Sequence, residues 1–211
     1  MIYGLTNSKG GVGKTTIAVH LAAHLASKNR KVIFIDADMQ ASSSRWIKEL
    51  CKEAGLKIKL EQINEPEAII RTVSKLAQEA TDIVIDGPAG LSDTTRAIML
   101  RADRVYLPCG PSALDLRAVD LAVALVKEAR QARKGLPEAA LIPNKGQKRS
   151  RLTAEMLKTI NRYQIKILPG LSQRQSFADA AGQGKVVSAM GFPAKLAAIE
   201  MNSLMKEMTR G

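Results

Sequence analysis

Aromatic residues are scarce in this chain. Its 211 residues include three Phe, three Tyr and one Trp, so any core must be built from aliphatic side chains. Cysteine is nearly absent. Cys51 and Cys109 stand far apart and form no C-x-x-C, which argues against a disulfide framework and points to a reducing, cytoplasmic compartment. Two buried free thiols are expected, with a bridge between them as the alternative. No apolar run approaches the roughly 20 residues of a membrane-spanning helix. The opening Met1-Ile2-Tyr3-Gly4 has no basic region ahead of its apolar residues, so it does not read as a secretory signal. Acidic residues are also in deficit, 20 against 32 Lys and Arg, a net charge of +12. Residues 101–150 and 151–211 carry +5 each, 1–50 carry +4 and 51–100 carry −2. That asymmetry suggests a polyanionic partner, nucleic acid or membrane; the alternative is a basic surface that only keeps the protein soluble.

Hydrophobic residues make up 45% and charged residues 25%, a composition that supports a packed domain rather than disorder. Short apolar runs alternate with longer helical stretches. Strands are expected at 2–5, 32–35, 58–63, 83–85, 105–107, 139–142 and 164–168. Helices are expected at 14–27, 42–54, 66–80, 93–100, 114–132, 153–162, 175–182 and 194–209. In the first helix Ile17, Leu21 and Leu25 recur every four residues. Val32-Ile33-Phe34-Ile35 is apolar throughout, as a strand buried on both faces requires. Gly87-Pro88 is expected to end the fourth run, and Pro143 the sixth. No long linker, repeat or low-complexity segment interrupts the pattern. The expectation is a single α/β domain over 1–211 with a mostly parallel twisted sheet flanked by helices on both faces.

The most informative segment is Lys9-Gly10-Gly11-Val12-Gly13-Lys14-Thr15-Thr16, set between a strand and a helix. That context is what a P-loop needs. Backbone N–H groups of Gly10, Gly11, Val12 and Gly13 can turn inward around phosphate oxygens, and the helix N-terminus adds its dipole. Lys14 reaches the β- and γ-phosphates, the Thr15 hydroxyl can ligate Mg²⁺, and Thr16 can contact the α-phosphate. Position 8, where the strict pattern has glycine, is Ser8. Ile83–Ile85 ends in Asp86-Gly87-Pro88, as the second acidic motif of a P-loop NTPase should, and places Asp86 to hold Mg²⁺ through water. Asp36-Ala37-Asp38 closes the run at 32–35. An i, i+2 pair on a strand shares one face, so both carboxylates could serve one metal–phosphate centre; alternatively one of them caps the helix starting near Ser42.

With Lys9 as its first lysine, the loop resembles the K-G-G-x-G-K-[ST] loop of the ParA/MinD group of deviant-Walker ATPases, matching every fixed position through Thr15. The resemblance implies ATP and Mg²⁺ as cofactors and a nucleotide-sandwich homodimer. In it Lys9 would cross to the partner's phosphates, although a solvent lysine beside a phosphate site is the alternative. It also implies that Asp38 positions the attacking water and that Asp36 is a structural or Mg²⁺-shell carboxylate. Lys9, Lys14 and Asp38 are thus the catalytic candidates, and Thr15, Asp36 and Asp86 the metal candidates. Met39 departs from the proline usual after Asp38. Asn144-Lys145-Gly146-Gln147 lacks the aspartate that guanine-specific proteins carry, which favours ATP. The family's adenine-contacting Asn nominates Asn144, a turn residue being the alternative, and Pro108 and Pro111 could shape the base pocket. His20 and His24, i and i+4 without an intervening Glu, suit packing or surface roles rather than metal.

Basic residues gather at Lys145, Lys148, Arg149 and Arg151, at Arg130, Arg133 and Lys134, and at Arg162, Lys166, Arg174, Lys185, Lys195, Lys206 and Arg210. No helix-turn-helix pattern or aromatic interleaving accompanies them, so a phosphate-tracking, non-specific DNA surface fits better than base reading. The resemblance extends to Ser172–Gly182. It is closest to small ParA proteins without an N-terminal DNA-reading domain, because the loop begins at residue 9. It implies a cytoplasmic, nucleoid-associated positioning ATPase. A cargo adaptor or centromere-binding protein would release it by stimulating hydrolysis, and no membrane is expected. The alternatives are a MinD-like membrane ATPase, a dethiobiotin-synthetase-like ligase, which would lack the paired lysines, and an iron–sulfur carrier, which would need a cysteine pair. For the MinD-like reading, Leu196, Ile199, Leu204, Met205 and Met208 are spaced for an amphipathic helix, but 194–211 lacks Trp and Phe, so packing on the core is expected.

Overall fold

A computed structural model describes residues 1–90, 92–147 and 150–210. Among the described residues seven strands and eight α-helices alternate as far as α7, which α8 follows with no strand between them. They are β1 (Ile2–Asn7), α1 (Lys14–Ala26), β2 (Val32–Asp36), α2 (Ser42–Ala54), β3 (Ile58–Gln62), α3 (Pro66–Leu76), β4 (Asp82–Ala89), α4 (Asp93–Arg101), β5 (Arg104–Cys109), α5 (Ala113–Ala132), β6 (Glu138–Pro143), α6 (Arg151–Ile160), β7 (Lys166–Ile167), α7 (Gln175–Gly182) and α8 (Lys195–Met208). The sheet order is β3-β2-β4-β1-β5-β6-β7, with every pair parallel. The chain leaves β1 toward one edge and returns through β4 to build the other. A crevice therefore opens at the C-terminal end of β1, where ligands bind in open α/β sheets.

Alternation along the strands divides the core between two faces. Leu5, Phe34, Val84 and Ile142 pack under α1, α2, α7 and α8. Ile33, Ile35, Ile83 and Ile85 pack under α3 and α4, and Val105, Leu107 and Leu141 under α5 and α6. Two element ends differ from expectation for identifiable reasons. β4 continues through Gly87-Pro88 because a Cβ at Gly87 would stand 2.8 Å from the Leu5 carbonyl oxygen, so glycine lets the chain stay beside β1. A register shift between Leu5 and Asn7 absorbs the irregularity. β7 shrinks to two residues because Gln164 takes a left-handed conformation (φ 54°) just before it. The helix expected to reach residue 80 ends at Leu76.

His20 is part of the core, which selects packing over a surface role. Thr16 O lies 2.7 Å from its Nδ1, and its Nε2 accepts from Val187 N–H at 3.1 Å. Neither nitrogen is free for a metal. Trp46 and Phe177 meet the ring edge-on. Burial holds its pKa down at about 4, against 6.5 for an exposed histidine. Below pH 6.5 the unfolded chain takes a proton that the native chain refuses, so this contribution to stability is complete above pH 6.5 and is lost as pH falls toward 4. Complete loss amounts to about 3 kcal/mol. Urea unfolding measured across pH 7 to 4 should therefore show a shallower pH dependence for His20→Gln than for the parent. Parallel profiles would remove His20 from the acid response.

Candidate nucleotide site

Gly11 and Gly13 occupy left-handed conformations (φ 73° and 98°), which turn the P-loop back on itself and are cheap only for glycine. Gly13 precedes α1 with no side-chain cap, and the first turn carries no acidic residue. Its N–H groups are thus left for an external anion. Lys14 is buried and donates to the Lys9 carbonyl at 3.0 Å, spanning the loop; burial lowers its pKa. The departure at position 8 has a local explanation, since the Ser8 hydroxyl donates to Ala118 O on α5 at 3.0 Å. Asn7 ties the same segment down, donating to Pro108 O at 2.6 Å and accepting from Lys9 N–H at 3.1 Å.

Lys9 does not enter the cradle beside Lys14. Its Nζ sits 2.7 Å from Asp115 Oδ1 and 3.3 Å from Ser112 Oγ at the start of α5, with the side chain 37% exposed. Ser112 and Asp115 form a reciprocal capping box for that helix. Burial pushes the Asp115 carboxyl upward, but Lys9 and the Ser112 donors outweigh it and hold the pKa low. Asp115 is a site residue that the sequence reading passed over; the S-x-x-D at 112–115 was the available signal.

Asp36, the last residue of β2, stands in register beside Asp86 of β4. Both Asp36 oxygens accept backbone N–H groups, from Asp38 at 3.2 Å and Ser44 at 2.8 Å. Asp36 thereby caps α2 from the strand end and shapes the turn, which is the structural one of its two expected roles. Asp86 accepts from the Thr15 hydroxyl at 2.7 Å, while its other oxygen is buried without a partner among the described residues. Burial, with the Asp36 charge adding to it against Thr15 and Lys14, pushes its pKa up to about 7. A carboxylate under that strain beside a threonine hydroxyl suits a hard cation with few protein ligands, as Mg²⁺ prefers. Asp38 corrects the shared-face expectation. β2 stops at Asp36, and Asp38 lies in the following loop, half-buried, with one oxygen accepting from Gln40 N–H at 3.0 Å.

Asn144 is placed against the loop. Its side-chain amide donates to Val12 O at 2.6 Å and accepts from Lys145 N–H at 2.8 Å. A Cβ on Gly13 would stand 2.1 Å from that amide nitrogen, so Gly13 is required by packing as well as by φ. Asn144 also walls a cleft of about 220 Å³ with Gly13, Thr16, Gln173, Phe177 and Ala181. Pro108 and Pro111 do not line it. The far side of this cleft is held by Glu200 on α8, which accepts from Ser172 N–H at 3.0 Å and from Arg174 Nη2 at 2.7 Å. Nothing in the local sequence marked Glu200.

Residues 3–187 match the family model described as the CobQ/CobB/MinD/ParA nucleotide binding domain. The chain belongs to this family. Across 207 residues it is 31% identical to the maintenance of carboxysome distribution protein A of Halothiobacillus neapolitanus, covering 97% of this chain and 94% of that one. The fold is similar to Cyanothece McdA solved with ATP (TM-score 0.81, 20% identity, 98% and 95% of the two chains). It is also similar to MinD from Aquifex aeolicus (TM-score 0.75, 20% identity, 100% and 97%). These relatives support a nucleotide-binding, partition- or positioning-type ATPase.

The basic clusters separate on folding. Arg133 turns inward and donates to the Met99 and Ala102 carbonyls at the end of α4. Arg151 pairs with Glu155 and Arg174 with Glu200. Lys145 stays exposed beside the P-loop end of the sheet, and Lys148 and Arg149 lie outside the described residues. Among the described residues, no helix is long and apolar enough to cross a membrane.

Proposed function

We propose that this chain is an ATP-dependent positioning ATPase. ATP on the P-loop joins two copies into a sandwich dimer, and the dimer holds DNA without sequence preference. A partner carried by the cargo stimulates hydrolysis and lets go of the DNA. The cargo is plasmid DNA or a protein-bound body such as a bacterial microcompartment, and the working location is the nucleoid. The observation that carries this reading is the placement of Lys9. A second P-loop lysine stands at the mouth of the site, outside its own cradle, on Asp115 and Ser112 with its side chain 37% exposed. Once it leaves that contact it can serve a facing subunit.

In this reading Lys14 and the loop N–H groups bind phosphates, Asp38 orients water, and Thr15 and Asp86 hold Mg²⁺. Bound there, the ion supplies charge neutralisation for the phosphates. Asn144 keeps the loop against the base cleft. A sandwich joins the nucleotide ends of two sheets, so Lys145 and Arg151 are the cations brought alongside the partner subunit.

Retention on random duplex DNA and on anionic liposomes, each with and without ATP, tests the proposal. ATP-dependent DNA retention that weakens steeply with salt is expected. ATP-dependent liposome binding without DNA binding would favour the membrane reading. One observation keeps that arm necessary: Phe192, Leu196 and Ile199 are 85%, 59% and 55% exposed at i, i+4 and i+7, although Ala197, Met201, Leu204, Met205 and Met208 of α8 pack on the core.

The Asp115 contact holds Lys9 in its own subunit and so opposes dimerisation. Asp115→Asn keeps a capping group but removes the charge. It should lower the ATP concentration at the midpoint of dimer formation by about fivefold, the worth of a partly exposed ion pair. Sedimentation across an ATP series reads this directly; an unchanged midpoint would mean that leaving Asp115 costs Lys9 nothing.

A further inference from the structure

A large cleft lies at the opposite end of the sheet from the P-loop. It has a topological cause. β7 joins β6 from Ala140 onward, through Ala140–Lys166 and Leu141–Ile167, so the first residues of β6 face a gap instead of a strand, and the end of α8 roofs it. The space is about 620 Å³, within the range of small-molecule sites. Ala140, Ile165 and Leu168 give it an apolar floor, and Arg104, Arg130, Lys166 and Arg210 line it against Glu138 and Glu207.

The carboxylates are already engaged. Glu138 pairs with Arg104 at 3.0 Å, and Glu207 is shared by Arg210 at 3.4 Å and Lys166 at 3.8 Å. Arg104 is further fixed by the Met208 and Arg210 carbonyls at 3.2 and 2.7 Å. Arg130 is different. Its Nε donates to Pro137 O at 3.0 Å, while its terminal nitrogens have no acceptor among the described residues. A half-buried guanidinium with open donors, over an apolar floor and near two loosely paired cations, wants an anion with an apolar body.

We propose that this cleft binds a small organic phosphomonoester, at a site separate from the nucleotide site. Its shape admits a molecule of drug-like size rather than a duplex. It also points away from the end of the sheet that a sandwich dimer would join, so dimerisation would not pair it with its copy. The site stands independently of the positioning function.

Phenyl phosphate is the probe, with phenol and inorganic phosphate as its two halves. Calorimetric titration is done on the full chain saturated with ADP and Mg²⁺, so that the P-loop is already filled. Phenyl phosphate should bind once per chain and more tightly than either half. Arg130→Gln with Lys166→Gln should weaken it about tenfold or more, the loss expected for charge-assisted hydrogen bonds, while ADP affinity and melting temperature stay unchanged. If the double variant misfolds, Lys166→Glu alone should still weaken binding with the fold intact. Equal binding by parent and variant, no saturable binding at all, or displacement of phenyl phosphate by random duplex DNA would each overturn the proposal, the last by making the cleft part of a nucleic-acid surface.

Discussion

Lys9→Ala should abolish ATP-dependent dimer formation and DNA retention while leaving ATP binding by the monomer within about threefold of the parent. The asymmetry follows from placement. Lys14 is buried under the loop of the subunit that carries it. Lys9 sits outside, on Asp115, and its removal takes nothing from its own cradle. A cation supplied across an interface to phosphoryl oxygens accounts for about 10³ or more in related chemistry, so partner-stimulated hydrolysis should fall at least about 10²-fold. Lys14→Ala makes the contrasting control, because it should lose nucleotide binding itself. Sedimentation with ATP, DNA retention and nucleotide titration separate the two variants. A Lys9→Ala chain that still dimerises with ATP would show that this lysine does not act in trans.

Asp38→Ala should give the opposite phenotype: an ATP dimer that forms, holds DNA and does not let go. Asp38 lies beyond the end of β2 with one oxygen committed to the Gln40 N–H. Its other oxygen has no partner among the hydrogen bonds of the described residues. Its charge acts on Lys14 against the burial that lowers that lysine's pKa, so it lies on the P-loop side of the turn. Loss of a group that orients or deprotonates water costs about 10²–10⁴ in rate, whereas binding contacts on the P-loop are untouched. Single-turnover hydrolysis and DNA off-rates measure both halves. Hydrolysis at the parental rate would exclude Asp38 from the chemistry.

The neighbouring aspartate shows how a correct motif can divide into unlike roles. Asp36 and Asp38 are two residues apart, and a strand rule would put them side by side. The strand ends between them, because the N–H groups of Asp38 and Ser44 both turn back to the Asp36 carboxylate. One aspartate becomes a cap and the other a loop residue. Their fates were decided by where extended backbone stopped, which a pattern of residue types leaves open. Asn144 shows the same limit. A polar residue after a strand can face a ligand or the protein, and only the approach of the P-loop to 2.6 Å reveals that it faces the loop as well as the cleft. His20 shows it from the other side: its spacing from His24 hinted at a shared face, but the N–H that donates to its Nε2, that of Val187, lies 167 residues away.

The basic surface was the least legible feature. Composition gave its sign and its location in the second half of the chain. Folding then turned Arg133 inward, paired Arg151 and Arg174 on the spot, and sent Arg130, Lys166 and Arg210 to the end of the sheet remote from the nucleotide. A count of charges is local to the sequence, but the field that a partner meets depends on which charges share a face and which are already neutralised.

By itself the sequence determined the alternation of strands and helices, the aliphatic core and the phosphate loop. Each of these rests on interactions within a few residues: periodic burial, glycine in left-handed turns and N–H groups at the start of a helix. The tertiary structure alone decided that Lys9 rests on Asp115, that Glu200 braces the cleft beside Asn144 and that a cationic cleft opens where β7 starts late. Those features join residues 26 to more than 100 positions apart, and their geometry is set by sheet order and packing, on which no local pattern reports.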